Sequence, residues 1–343
     1  MIKLLIGGSP CTHWSIAQKN GRETKPEGLG WELFKNYLIA KEKFKPDLFL
    51  YENNKSASEA IKSQIRTELG VWDGTFFTED KGARYIEINS AFVSAQNRQR
   101  FYVHNCGEVV QPEDRGILLR DIIEGDGADG KTGLYPVPIN ETADGKSQTI
   151  KAQYHFTSVQ NICCYSSTYG ASGVAIPTEE KPQAFDGDEK DPMAMKRVYE
   201  VKDGFITIKG KQYPIKLPDG YYNIRKLTVT ECCRLQTMPD DYCRAVSDTQ
   251  AYKGLGNGWT AEVIIHILSK ALENVSRDEE IVVLSMYDGI GTGRYCLDKM
   301  GFTNIKYYAY EIDEYAKKIA LSNYQDIIQM GDAFQVREED WSL

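Results

Sequence analysis

The chain has 343 residues, 41% of them hydrophobic and 26% charged; that is length for two domains, since one core rarely grows past about 250–300 residues. No run of about 18 apolar residues offers a membrane span, and the start lacks the charged-then-apolar signature of a signal peptide, so a cytosolic protein is expected. The formal net charge of −8 weighs against a protein that coats nucleic acid, but not against a cleft that gathers its Lys and Arg on one side.

From residue 1 to about 106, short apolar runs (Leu4-Leu5-Ile6, Leu48-Phe49-Leu50-Tyr51, Phe101-Tyr102-Val103) alternate with helical stretches such as 31–43, which predicts a parallel α/β sheet. The first strand ends in Gly7-Gly8-Ser9-Pro10-Cys11. A thiol on a turn at the carboxyl edge of such a sheet stands where α/β enzymes place their chemistry. It needs a base or a positive field to become a nucleophile near neutral pH. The next long strand ends in Tyr51-Glu52-Asn53-Asn54, and Gln96-Asn97-Arg98-Gln99-Arg100 leads into the one after it. Cys, Glu and two Arg at successive strand ends converge on one cleft; the plain alternative makes Glu52 and Arg98 a surface ion pair worth under about 1 kcal/mol.

Residues 107–224 change texture, with frequent Gly, Asp, Thr and Pro. Phe205-Ile206-Thr207-Ile208 followed by Lys209-Gly210-Lys211 reads as a hairpin. This is expected to be a separate, mostly β or irregular module. From about 225 the α/β texture returns, with helices over 261–272 and 314–322, a polar linker at 274–280, and strands over 281–284, 307–310 and 327–330.

The segment Ser285-Met286-Tyr287-Asp288-Gly289-Ile290-Gly291-Thr292-Gly293 is a strand running into a glycine-rich turn and a helix. Glycines there let a ligand approach the backbone, and the helix N-terminus offers free N–H groups. About twenty residues on, Glu311 ends the next strand, where an acid takes ribose hydroxyls. Asp332 ends the third, placed for an adenine amino group. A dinucleotide fits these residues as well, and helix capping explains Glu311 and Asp332 without any ligand. The eight cysteines (11, 106, 163, 164, 232, 233, 243 and 296) form no C-x-x-C pair, so neither zinc nor a disulfide framework is expected.

Taken together, Ser9-Pro10-Cys11, Glu52-Asn53, Gln96-x-Arg98-x-Arg100, Arg225-x-Leu227-Thr228-x-x-Glu231-Cys232-x-Arg234-Leu235-Gln236-x-x-Pro239-Asp240-x-Tyr242, Gly256-Asn257, Asp288-Gly289-Ile290-Gly291-Thr292-Gly293 and Glu311-Ile312-Asp313 resemble the motif set of the DNA (cytosine-5) methyltransferases. The resemblance covers the first 106 and the last 119 residues or so. It implies a Rossmann-like sheet that binds S-adenosylmethionine, acts on double-stranded DNA, and carries an inserted target-recognition domain at 107–224 between catalytic parts at 1–106 and 225–343. In its terms Cys11 is the nucleophile that attacks cytosine carbon 6, and Glu52 holds and protonates the ring nitrogen of the flipped base. Arg98 and Arg100 position the adduct. Tyr287, Asp288, Gly289, Ile290, Gly291, Thr292, Gly293, Glu311, Ile312, Asp332, Ala333, Pro10, Asn257 and Trp259 surround the cofactor, with Trp259 placed as in the animal de novo and plant domains-rearranged enzymes. A core position under the following helix is the other reading of Trp259. Residues from Cys11 to about Gly30 correspond to the mobile loop of the family.

In the family's usual order the cofactor motifs precede the Cys motif; here the Cys is at 11 and the glycine turn near 289. The resemblance therefore implies a circular permutation, with 333–343 leading back toward the strand at 2–6 and the linker at 274–280 joining the natural ends. Asn54 and Thr12-His13-Trp14 depart from the family's residues; Asn54 is expected to alter hydrogen bonding under Glu52, and His13 to be solvated. In the middle module, Lys146, Lys151, Tyr154, His155 and Tyr165 are candidates for contacts to phosphates or base edges, each also explained by a solvated loop. An RNA-modifying branch of the family and an inactive DNA-binding relative are the alternatives, disfavoured by the long middle module and the intact Cys, Glu and Arg motifs. A role in restriction–modification, in a phage or as an orphan is open, in a prokaryotic or phage-infected cell.

Overall fold

Apolar runs in this chain become strands whose alternate residues are buried on opposite faces. The computed structural model describes residues 1–16, 21–71, 82–125, 135–154, 157–163, 171–182 and 198–341, and the backbone but not the side chain of Cys11. The first part contains β1 (Ile2–Gly7), α1 (Gly28–Phe44), β2 (Leu48–Asn54), α2 (Glu59–Glu68), β3 (Arg84–Asn89) and β4 (Gln99–His104). The middle contains β5 (Val137–Ile139), α3 (Val159–Cys163), β6 (Gly173–Thr178), β7 (Val198–Lys202), β8 (Phe205–Ile208), β9 (Lys211–Pro214) and β10 (Gly220–Lys226). The last part contains α4 (Val229–Leu235), α5 (Asp248–Asn257), α6 (Ala261–Leu272), β11 (Ile281–Met286), α7 (Thr292–Lys299), β12 (Ile305–Tyr310), α8 (Glu314–Asn323) and β13 (Ile327–Gly331), then a 3-10 turn, Ala333–Arg337.

Seven strands form one sheet in the order β13-β12-β11-β1-β2-β4-β3. The five from β13 to β2 run parallel, while β4 is antiparallel to both β2 and β3. The sheet is thus mixed rather than wholly parallel. The reversal has a use: Asn54 at the end of β2 pairs with Arg100 near the start of β4, so arginines that precede a strand arrive at the edge where Glu52 ends one.

Leu5, Phe49, Leu284 and Met286 face a core under α1 and α2; Leu4, Ile6, Leu50 and Val283 face the opposite core under α6 and α7. Burial on both faces is what continuous apolar strands require. α6 follows helical spacing, burying Ala261, Ile264 and Leu268 on one side. α4 is started by a reciprocal cap in which Glu231 N donates to Thr228 Oγ1 (3.1 Å) and Thr228 N donates to Glu231 Oε2 (2.8 Å). The same buried Glu231 receives a two-pronged contact from Arg225 (2.8 and 2.9 Å). The Arg225-x-x-Thr228-x-x-Glu231 spacing therefore fastens β10 to α4.

The middle segment builds a second, six-stranded antiparallel sheet in the order β5-β6-β10-β7-β8-β9, with its own core around Val201, Ile206, Tyr222 and Ile224. Lys209 and Gly210 both take positive φ (49° and 73°), the geometry of a two-residue hairpin turn between β8 and β9. A shared core containing Leu119, Ile150, Tyr154, Leu227, Leu235 and Leu255 joins this region to the first sheet's helices. Two candidate recognition residues belong to that framework. Lys146 is buried, its ammonium donating to the carbonyls of Ala91 (2.8 Å), Ile117 (2.6 Å) and Ser94 (3.4 Å). Tyr154 is buried too, its hydroxyl donating to Ser172 O and accepting from Leu227 N. Neither reaches a phosphate, because both satisfy backbone groups that would otherwise be orphaned. Lys151 is exposed, and His155 and Tyr165 lie outside the described residues.

Candidate active site

Between β1 and β11 the winding of the sheet reverses. The chain moves outward through β12 and β13 on one side and through β2 and β4 on the other. The crevice at the carboxyl ends of such a pair is where open α/β sheets take their ligands. A cavity of about 470 Å³ opens there, walled by Gly8, Ser9, Pro10, Glu52, Arg98, Arg100, Asn257, Trp259, Tyr287, Asp288, Gly289, Ile290, Thr292, Glu311, Ile312, Asp332 and Ala333 among others. That size suits a drug-sized ligand or cofactor.

On the β1–β2 side, Gly8 lies so close to β2 that a Cβ would stand 2.5 Å from Glu52 O, so the approach excludes any larger residue. Asn53, buried, donates to Ser9 O (2.9 Å) and to Tyr51 OH (3.1 Å), while Ser9 Oγ and Tyr51 OH share a 2.8 Å bond. This network fixes the Ser9-Pro10-Cys11 turn, and Cys11 then opens a 3-10 turn, Cys11–His13. Glu52 is nearly buried and paired with Arg100, whose Nε donates to Oε1 (2.9 Å); Trp259 Nε1 donates to Oε2 (3.0 Å). Arg98 is not the partner of Glu52. Its buried guanidinium donates to the carbonyls of Gly258 (2.7 Å), Gly256 (3.2 Å) and Ile150 (3.3 Å), clamping the Gly256-Asn257-Gly258 turn against the site. The alternative of a surface Glu52–Arg98 pair is thus set aside: Glu52 pairs with Arg100, and both are nearly buried.

Asn54 reaches Ser15 Oγ (3.4 Å) and accepts from Ser56 N (3.0 Å) rather than bonding under Glu52. His13 is not merely solvated: it lines the cavity with Nδ1 3.6 Å from Glu23 Oε1. Glu23 also accepts from Trp14 Nε1 (3.1 Å) and Gly30 N. Of the stretch expected to be a mobile loop, Glu23 joins Trp14 to the start of α1, Ile16 and Arg22 bond Ser56 after β2, and 17–20 lie outside the described residues.

On the β11–β12 side the contacts are local and mostly backbone. Gly289 and Gly291 take φ of 65° and 79°, the left-handed region glycine tolerates. Glu311 Oε2 accepts from Gly289 N (2.8 Å), and Oε1 accepts from Ile312 N and Asp313 N (both 2.8 Å). Gly293 sits where a Cβ would meet Ile6 Cδ1 at 2.2 Å; like Gly291 it shapes the turn from behind the cavity wall. Asp332 caps the final 3-10 turn, accepting from Phe334 N (2.9 Å), and still lines the cavity, so capping and site roles coexist. Asp288 tucks beneath the turn, where Tyr307 OH (2.6 Å) and Ser285 Oγ (2.7 Å) donate to Oδ1. Burial lifts its pKa to about 6 against those two bonds. Tyr287 crosses to α1, donating to Leu33 O (2.7 Å) and accepting from Asn36 Nδ2 (3.2 Å).

Sequence reasoning missed Leu29 and Leu33, which present one face of α1 to the cavity, and also Lys253, Tyr315 and Phe334. The i, i+4 spacing of the two leucines was readable; nothing marked Phe334. Ile312, Tyr315 and Phe334 are exposed apolar side chains on this rim (68%, 50% and 37%), an arrangement that leaves a flat ring something to lie against. Glu52, Asp288, Glu311, Asp313 and Asp332 line the cavity together with Arg98, Arg100 and Lys253; Arg100 pairs with Glu52 and Lys253 with Asp313.

A family model described as C-5 cytosine-specific DNA methylase matches residues 1–273, stopping ahead of β11. The chain is 45% identical over 280 residues to the Type II methyltransferase M.SsoII of Shigella sonnei, covering 80% of this chain and 64% of that protein. It is 27% identical over 290 residues to the Type II methyltransferase M.HpaII of Haemophilus parainfluenzae, covering 79% of this chain and 72% of the relative. It thus spans about two thirds of the length of these relatives.

Proposed function

The chain belongs to the C-5 cytosine-specific DNA methylase family, a family of methyltransferase enzymes, and from that premise we propose that it transfers a methyl group from S-adenosylmethionine to carbon 5 of a cytosine flipped out of double-stranded DNA. The observation that carries this is the meeting, in one cavity at the switch point of the sheet, of Ser9 and Pro10 beside Cys11 in the sequence, the Glu52–Arg100 pair and the glycine turn with Glu311.

The residues suit the cofactor. Glu311, its oxygens oriented by three backbone N–H groups, would hold the ribose hydroxyls; Ile312 and Phe334 on the cavity rim would pack on the adenine, and Asp332 would accept from its amino group. When bound, the cofactor supplies an electrophilic methyl group. Cys11, as thiolate, adds to cytosine carbon 6, and the electron pair of the 5,6 double bond becomes available at carbon 5. Glu52 gives its proton to the ring nitrogen as that density develops, while Arg100 holds the carboxylate and Arg98 holds the turn beside it. After transfer the carbon-5 proton leaves to a base, the 5,6 double bond re-forms as Cys11 departs as thiolate, and the ring-nitrogen proton returns to Glu52. Extrusion of the base costs a few kcal/mol.

We read residues 107–224, which hold all of the second sheet but the last two residues of β10, as the target-recognition domain, flanked by the catalytic parts at 1–106 and 225–343. We also read the motif order as a circular permutation of the family's. In support, Lys3 Nζ donates to Phe44 O (3.3 Å), and Trp341 packs edge-on against the ring of the same Phe44 (5.9 Å). Arg337 bonds Asn36 (2.7 Å) in α1, the helix that follows β1. The test is nucleoside mass spectrometry of unmethylated duplex DNA incubated with protein and S-adenosylmethionine. 5-Methylcytosine that Cys11→Ser fails to produce is expected; unmodified DNA with a bound cofactor overturns the reading.

A further inference from the structure

Trp259 stands between the two halves of the cavity. Its turn is anchored from below, since Arg98 holds the carbonyls of Gly256 and Gly258, and its indole, packed against the core that contains α6, forms part of the cavity wall. From there Nε1 donates to Glu52 Oε2 at 3.0 Å, across 207 residues of sequence. Arg100 Nε occupies the other oxygen at 2.9 Å. An indole has one donor and no acceptor, so this bond serves the carboxylate and opposes the acid.

Resting on the functional reading above, we propose that Trp259 is a positioning residue for Glu52, fixing the orientation of its carboxylate from the cofactor wall. The other charged and titratable groups facing Glu52 are Arg98 and Arg100, with Tyr51 and Tyr102 beside it; His13 and Asp288 line the same cavity. The indole adds a directional bond to the oxygen that Arg100 leaves open, and Glu52 must break or bend it to take up the proton it later donates.

The experiment pairs Trp259→Phe, which keeps an aromatic wall and removes the donor, with Glu52→Gln. The five tryptophans have separate indole N–H resonances, and the one lost in Trp259→Phe identifies residue 259. In the ligand-free protein that resonance shifts in Glu52→Gln. In the methylation assay Trp259→Phe leaves the S-adenosylmethionine Kd within about threefold and lowers kcat about tenfold, the scale of one hydrogen bond to a charged group. An indole resonance indifferent to Glu52→Gln, or a Trp259→Phe kcat within about twofold of wild type, well short of the loss of one hydrogen bond to a charged group, overturns the inference. Wild-type protein that transfers no methyl group overturns the functional reading, and this inference with it.

Discussion

The two sides of the cavity hold their carboxylates by different means. Glu311 is bound by backbone N–H groups of its own turn and of the glycine turn 22 residues away. Glu52 is bound by side chains, from Arg100 on a neighbouring strand and from Trp259, 207 residues away. A backbone cradle survives most substitutions as long as the turn keeps its glycines. A side-chain cradle can be dismantled one residue at a time, and its parts can change with the reaction. The nucleotide side is thus a local device, and the catalytic side is an assembly made by the whole fold.

The sharpest way to break this comparison is to neutralise each acid. Glu52→Gln should lower kcat roughly 10²–10⁴-fold, the range of a lost general acid, with cofactor affinity little changed. Glu311→Gln should weaken cofactor binding about 10–100-fold, as for a charged hydrogen-bond acceptor, with kcat recovered at saturating cofactor. Calorimetric titration and steady-state kinetics separate the two; similar effects on both quantities would erase the distinction.

Backbone dependence on the nucleotide side is probed by Gly293→Ala, whose Cβ would meet Ile6 Cδ1 at 2.2 Å and Tyr307 OH at 2.5 Å. Overpacking of that kind should cost about 1–3 kcal/mol in denaturant unfolding. Away from the cavity, Lys146→Met should destabilise by about 1–3 kcal/mol through the carbonyls it leaves unpaired. The slope of DNA affinity against salt should stay as in wild type; a slope reduced by about one would return Lys146 to a phosphate.

The smallest effect concerns Asp288. Burial raises its pKa from the ordinary 3.8 to about 6. Between those values the folded protein binds a proton that the unfolded chain does not, so this group's contribution is fully present below about pH 4 and is lost as pH rises through 6. Asp288→Asn, neutral throughout, should therefore gain about 1–2 kcal/mol relative to wild type on going from pH 5 to pH 8, read from unfolding curves at the two pH values. A difference that does not change with pH contradicts the assignment.

The same contrast explains what was legible beforehand. Strands β1, β2, β4, β11, β12 and β13, the helix over 261–272, the glycine turn and Glu311 follow from short-range spacing and were readable. The antiparallel course of β4 was not, because nothing in a single strand's sequence states its direction. Which arginine meets Glu52 was not readable either: Arg98 and Arg100 lie along one extended segment, and only the register with Asn54 sets Arg100 beside the acid. Lys146 and Tyr154 look like surface contacts in the sequence because burial of a cation on three carbonyls depends on segments 91–94 and 117, which no local pattern brings together.

The account's central claim, that Cys11 opens onto the same cavity as the glycine turn and acts there, is tested most directly by covalent capture. Protein is incubated with S-adenosylmethionine and duplex DNA carrying 5-fluorocytosine, where the carbon-5 substituent cannot leave as a proton, and the linked peptide is identified by mass spectrometry. The predicted result is a stable adduct on the peptide containing Cys11, formed only with cofactor and absent in Cys11→Ser. Attachment at another cysteine, or methyl transfer to unmodified DNA with no adduct at Cys11 in the fluorinated duplex, would contradict it.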